Sequence, residues 1–288
     1  MSDRKSGASA RAIVAFACNL ALLAASGGAA AAADASAWDG GPRAAMRLIA
    51  GARPSVATGV LRAGIEIKLG PGWKTYWRYP GDSGVPPRFR FDRSDNVART
   101  DVLFPAPHGF TDEGGTTIGY KDDVILPVHV VPRDPAKPVV LRLNLDYAVC
   151  EKLCIPIDDA KAELALPGDG GAEAALAASE ARVPKVVGLG DGGALSIRSI
   201  HREDGSPHPR IVVDVATPAG VDLELFAEGP TPEWSLPIPA PVPGAPPGLR
   251  RFAFELDGLP PGASAHGASL RLTAVTADAA IEVTTRLE

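Results

Sequence analysis

From Val139 to Ala148 the chain runs Val-Val-Leu-Arg-Leu-Asn-Leu-Asp-Tyr-Ala. Val139, Leu141, Leu143, Leu145 and Tyr147 fall on every second position, and Arg142, Asn144 and Asp146 stand between them. A repeat of two places one set on a buried face and the other toward solvent, which is the geometry of a strand. The same alternation appears at Ile65, Ile67 and Leu69. An aromatic strand from Trp73 to Tyr79 is bracketed by Gly70-Pro71-Gly72 and Pro80-Gly81. Further strands are expected at residues 88–91, 97–104 and 124–131, with a weaker one at 162–166 after a turn through Asp158-Asp159. With Gly 31 and Pro 28 as punctuation, the pattern predicts an all-β chain of sandwich type.

The first 33 residues have the composition of a secretory signal. Arg4, Lys5 and Arg11 form a basic leader, Ala12 to Ala25 is apolar apart from Asn19, and Ala31-Ala32-Ala33 precedes Asp34. The apolar run is shorter than the roughly 20 residues needed to cross a bilayer, so cleavage after Ala33 and export are expected, with Cys18 lost. Residues 38–168 then form a first β-sandwich. Residues 169–184 are a linker whose Ala/Glu-rich stretch reads as a short helix, and residues 185–288 are a second β-sandwich domain. Within the second domain Pro230 to Pro247 is expected to be extended loop anchored by Trp234.

After export, Cys150 and Cys154 are the cysteines that remain, and an oxidising compartment favours a bond between them. On a straight strand their Cα atoms would lie about 13 Å apart, beyond the roughly 7 Å that a disulfide tolerates. A turn must therefore bring them together at the strand end. Closing so short a loop adds only about 2 kcal/mol, and a domain of this length needs no staple. Lys152 between the cysteines would favour a thiolate and Glu151 would oppose it. Spacing alone leaves three uses open: redox exchange, a structural disulfide, and metal binding.

Other chemistries lack their residues. His108 and His129 have no accompanying ligand motif, and a single methionine after export argues against a Met-rich copper carrier. The sequence has no Gly-x-Ser-x-Gly elbow, no His-Glu-x-x-His and no phosphate-binding glycine loop. Asp112-Glu113 precedes Gly114-Gly115 in a turn, where carboxylates are ordinarily solvated. With 29 basic and 34 acidic residues interspersed, nothing favours nucleic acid.

Gly72-Trp73-Lys74-Thr75-Tyr76-Trp77, then Asp112-Glu113, Gly119-Tyr120, Leu126-Pro127-Val128 and the run from Cys150 to Pro156 occur in an order that resembles the amino-terminal periplasmic domain of DsbD-type thiol:disulfide interchange proteins, including ScsB-like ones. The resemblance covers roughly residues 46 to 166. It implies an immunoglobulin-like sandwich in which Cys150 and Cys154 exchange thiols, without a dissociable cofactor. It also implies a membrane-embedded reductase as donor and periplasmic thioredoxin-like proteins as acceptors. By position, Asp112 and Glu113 are then acidic neighbours of the active site that act on the thiols through charge. Cys154 is the expected mixed-disulfide position. A well-known member of the family places five residues between its cysteines, where this chain has three. That member carries an aromatic cap after its acidic pair; Gly114 follows here, so Tyr120 or Trp77 is the expected substitute. Family members continue into membrane helices and a thioredoxin-like domain, whereas this sequence continues into a second β domain, so a separate protein is expected to supply the electrons. A non-catalytic interaction module with a structural disulfide, or a copper-handling protein, are the competing expectations.

Overall fold

The computed structural model describes Met1 and residues 33–53, 59–112, 115–191, 193–204 and 208–287. The expected signal segment lies outside the described residues. Residues 32–288 form one compact unit. Its first half contains β1 (Asp39–Gly40), β2 (Ala44–Ala50), β3 (Leu61–Leu69), β4 (Lys74–Gly81), β5 (Arg88–Arg90), β6 (Val97–Val102), β7 (His108–Asp112), β8 (Gly115–Lys121), β9 (Val124–Pro132), β10 (Val139–Cys150) and β11 (Cys154–Leu166). Helix α1 (Glu173–Glu180) follows, and then β12 (Lys185–Val186), β13 (Ser196–Glu203), β14 (Arg210–Ala216), β15 (Glu224–Glu228), β16 (Ala240–Val242), β17 (Leu249–Glu255), β18 (Ser269–Val275) and β19 (Ala280–Arg286).

Among the described residues these strands make four sheets, in the orders β1-β2-β3-β9-β6, β11-β10-β4-β8-β7 with β5 on β10, β12-β19-β18-β15, and β13-β14-β17-β16. The all-β expectation holds, and the period-two pattern explains why. On β10 the alternating set Val139, Leu141, Leu143, Leu145 and Tyr147 is buried against Met46, Leu48, Ile65, Ile67, Leu126 and Val128 of the facing sheet. The second half closes similarly around Ile211, Val213, Leu225, Phe252, Leu270 and Leu272. Phe226 and Val275 instead join the first core.

Two stretches differ from the sequence expectation. The Gly/Thr-rich segment around residues 108–121 forms the β7–β8 hairpin, because its partner β4 supplies the ladder that local propensity does not. Within the proline-rich stretch, Ala240–Val242 pairs with β17 at the sheet edge, a position that tolerates proline. Trp234 in the same stretch is buried, packed so closely on Gly229 that a β-carbon there would come within 2.4 Å of the indole.

Among the described residues no helix is long and apolar enough to cross a membrane.

Candidate functional site

The long β10–β11 hairpin positions the cysteines. Its strands pair from Val139↔Leu166 to the last rung, Cys150↔Cys154, and Glu151, Lys152 and Leu153 form the exposed turn. The two Cα atoms stand 4.1 Å apart and the sulfurs are bonded. The turn demanded by the spacing is therefore the hairpin turn itself. Asp158-Asp159, expected to be a turn, is instead an irregularity within β11, where the register shifts between Leu145↔Ala160 and Tyr147↔Ile157. Asp159 takes the left-handed conformation (φ 57°), and its backbone N–H donates to Asp146 Oδ1 at 2.9 Å.

This bulge has a direct effect on the site. Ala160, Ala162, Leu164 and Leu166 face the core. Continued without interruption, the same alternation would send Cys154 inward as well. The extra residue reverses the phase, so that Ile155 and Ile157 pack on the core and Cys154 joins Cys150 on the outer face.

On that face Cys150 is buried, with 4% of its surface exposed, and Cys154 is exposed. Lys74 pairs with Cys150 across the β10–β4 ladder and with Lys121 across β4–β8. The rung beside the disulfide thus carries two lysines, and Lys152 sits on the turn above. One step along β4, the Tyr76 hydroxyl reaches both sulfurs, donating to Cys150 Sγ at 2.9 Å and lying 3.2 Å from Cys154 Sγ. Tyr76 is itself buried, in a small cluster with Ala148 and Cys150. Thr75, pointing to the other face, donates from Oγ1 to the Ala148 carbonyl at 2.9 Å and ties β4 to β10 next to the disulfide.

The segment after β4 covers the Tyr76 ring. Gly84 (φ 137°) lies so close that a β-carbon would fall 2.4 Å from the ring, and Asp82 Oδ2 accepts the Thr116 backbone N–H at 2.8 Å. Only glycine fits this approach.

The expected site residues divide accordingly. Cys150, Cys154 and Lys152 are together. Tyr120 and Trp77, expected as substitutes for a cap, lie in the core instead. Strand alternation puts both on the face opposite Tyr76. Trp77 is fully buried, 5.9 Å from the Phe226 ring, and the Tyr120 hydroxyl donates to the Pro105 carbonyl at 2.8 Å, with burial pushing its pKa well up. Asp112 ends β7 opposite Gly115, at the far end of β8 from Lys121. Glu113 and Gly114 lie outside the described residues. The aromatic contact on the sulfurs is Tyr76, which the sequence expectation passed over in favour of its neighbour Trp77. The flanking cue was present in Pro80-Gly81-Asp82-Ser83-Gly84, whose glycines permit the close covering turn.

His108 bonds to Glu224 of β15, with Nδ1 and Oε2 3.0 Å apart, and His129 lies 3.5 Å from Glu180. Among the described residues no three His, Cys, Asp or Glu side chains are grouped to hold a metal ion.

Residues 48–166 match the family described as thiol:disulfide interchange protein DsbD, N-terminal. That segment carries the family's sequence. In this DsbD-type segment the cysteine hairpin, β4 and the covering turn are all included. The fold is similar to the crystal structure of the N-terminal periplasmic domain of ScsB from Proteus mirabilis, with a TM-score of 0.67 at 21% identity. That likeness covers 88% of this chain and 98% of the other, so it extends beyond the DsbD-type segment into the second half. No curated protein matches the sequence.

Proposed function

We propose that the protein is a periplasmic thiol:disulfide exchange protein that relays electrons from a membrane-embedded reductase to thioredoxin-like proteins through Cys150 and Cys154. One observation carries this reading: a single disulfide joins an exposed sulfur to a buried one, and a tyrosine hydroxyl touches both. The matched family supports it.

Exchange requires in-line attack by a thiolate on a reachable sulfur. A donor thiolate attacks Cys154 Sγ, the S–S bond breaks, and Cys150 leaves as a thiolate that accepts the Tyr76 hydrogen bond. The donor's second thiolate then attacks its own sulfur in the mixed disulfide and releases Cys154. Two electrons have moved to this protein and the donor is left with a disulfide. In the reverse half, Cys154 attacks an acceptor disulfide and Cys150 resolves the mixed disulfide by re-forming the Cys150–Cys154 bond. Lys74, Lys121 and Lys152 provide positive charge near the thiolates, the condition that favours ionisation of a thiol.

The test is trapping. Cys150→Ala, which leaves the exposed thiol without its resolving partner, is expected to accumulate a mixed disulfide with periplasmic proteins, and Cys154→Ala to accumulate far less. Equal absence of adducts from both variants, with a reduction potential of the native pair below about −300 mV, would assign the bond a structural role instead.

A further inference from the structure

The second sandwich meets the redox sheet at β4, the strand that carries Tyr76. Up to Tyr76, β4 is held by ladders on both sides: Lys74 and Thr75 pair with β10, and Lys74, Thr75 and Tyr76 pair with β8. Beyond Tyr76 the β8 register shifts, and pairing resumes only at Gly81↔Thr117. Trp77 to Pro80 therefore stand opposite Ile118 alone, and their backbone lacks the regular rungs that fix a strand.

Side chains from residues 226–282 fill that role. Trp77 packs on Phe226. Arg78 Nε and Nη2 donate to Glu228 at 2.9 and 2.7 Å, and Nη2 also bonds Glu282. Tyr79 donates from its hydroxyl to the Leu236 carbonyl. All three ionic side chains are largely shielded, at 21% exposure for Arg78 and 12% for each glutamate. Burial alone would disfavour the Arg78 charge, yet the bonds from Glu228 and the field of Glu282 outweigh it and hold the guanidinium firmly ionised. A planar fork shared between two carboxylates fixes direction as well as charge.

We infer that Arg78, gripped by Glu228 and Glu282 of the second sandwich, is a positioning residue that holds β4 so that the Tyr76 hydroxyl stays on the two sulfurs. This assigns the second sandwich a part in the exchange chemistry proposed above, on which the inference rests. Arg78 acts through Tyr76 and touches no sulfur-reactive group itself.

A double-mutant cycle in the full-length protein tests it, with the thiol–disulfide equilibrium constant against glutathione and the pH profile of cysteine alkylation as readouts. Arg78→Met is expected to shift the equilibrium constant by about three- to tenfold in the same direction as Tyr76→Phe, and the double variant to shift it no further than Tyr76→Phe alone, the non-additivity of residues acting as a unit. Glu228→Gln, which keeps the shape of the side chain, provides the same reading if Arg78→Met does not fold. Unchanged equilibrium and alkylation in folded variants, or effects that simply add to that of Tyr76→Phe, would overturn the inference. Failure of the exchange reading looks different: the Cys150→Ala protein would trap no mixed disulfide with any partner, whatever the Arg78 and Tyr76 variants do to the equilibrium constant of the native pair.

Discussion

Replacing Tyr76 with phenylalanine removes one oxygen and leaves the ring under Gly84 in place. The hydroxyl donates to Cys150 Sγ at 2.9 Å, and what it contributes depends on the state of that sulfur. A hydrogen bond to a neutral acceptor contributes about 1 kcal/mol net, and one to a charged acceptor about 1.5–3 kcal/mol. The reduced form, with a thiolate at Cys150, therefore loses about 1–2 kcal/mol more than the disulfide form. At 1.36 kcal/mol per unit, the Cys150 thiol pKa rises by about one unit. The disulfide becomes the better-tolerated state, and the reduction potential falls by about 20–40 mV at pH values where the native thiolate is populated. Equilibration with glutathione buffers, followed by acid quenching and mass measurement, gives the potential. Iodoacetamide rates against pH give the pKa. Below the native thiol pKa both forms are neutral and the difference should shrink, which separates a hydrogen bond to the thiolate from general loosening. A potential and an alkylation midpoint that both stay where they were would refute the idea that Tyr76 stabilises the leaving thiolate.

Two further predictions concern the bulge. Deleting Asp159 removes the extra residue and leaves Cys154 on the outer face opposite Cys150, so the bond is expected to form as in the native protein. Deleting Asp158 and Asp159 together turns Cys154 toward the core and is expected to leave two free thiols on unfolding in a thiol titration; a normally formed Cys150–Cys154 bond in the double deletion would count against the register argument. Asp146, which accepts the Asp159 N–H, has its pKa lowered to about 2, first by Arg90 and then by that backbone bond. Its stabilisation is complete above its ordinary value near 4 and is lost as pH falls toward about 2. Amide exchange at residues 157–160 should therefore accelerate across that window in the native protein and lose that step in Asp146→Asn.

The strands were legible wherever one face is buried. Val139 to Tyr147 states its own inward set, since a period of two with charged residues between cannot be satisfied otherwise. The cysteine pair was legible for a similar reason: its spacing permits a bond only across a turn. Tyr76 was not. Its neighbour Trp77 is larger and equally aromatic, and alternation shows that the two face opposite ways without showing which face holds the sulfurs. That phase is set by the Lys74↔Cys150 rung, a contact between residues far apart in the chain. The Asp158-Asp159 pair misled because acidic pairs favour turns, and here the same tolerance of left-handed backbone serves a bulge. The grip on β4 by Glu228 and Glu282 joins residues separated by most of the chain, and no local pattern announces it.

The bulge also says which sequence distances in such a site can drift. The turn between the cysteines lies outside the ladder, so adding residues there lengthens a loop and leaves Cys150 and Cys154 facing each other. Three-residue and five-residue spacings are then two closures of one hairpin. The stretch from Cys154 to Ala160 has less freedom: losing the one residue that the bulge absorbs leaves Cys154 outward in a regular ladder, but losing a second turns the sulfur over. A motif search for sites of this kind should leave the gap between the cysteines open and allow the count from the second cysteine to the residue matching Ala160 only the single-residue change that a bulge absorbs.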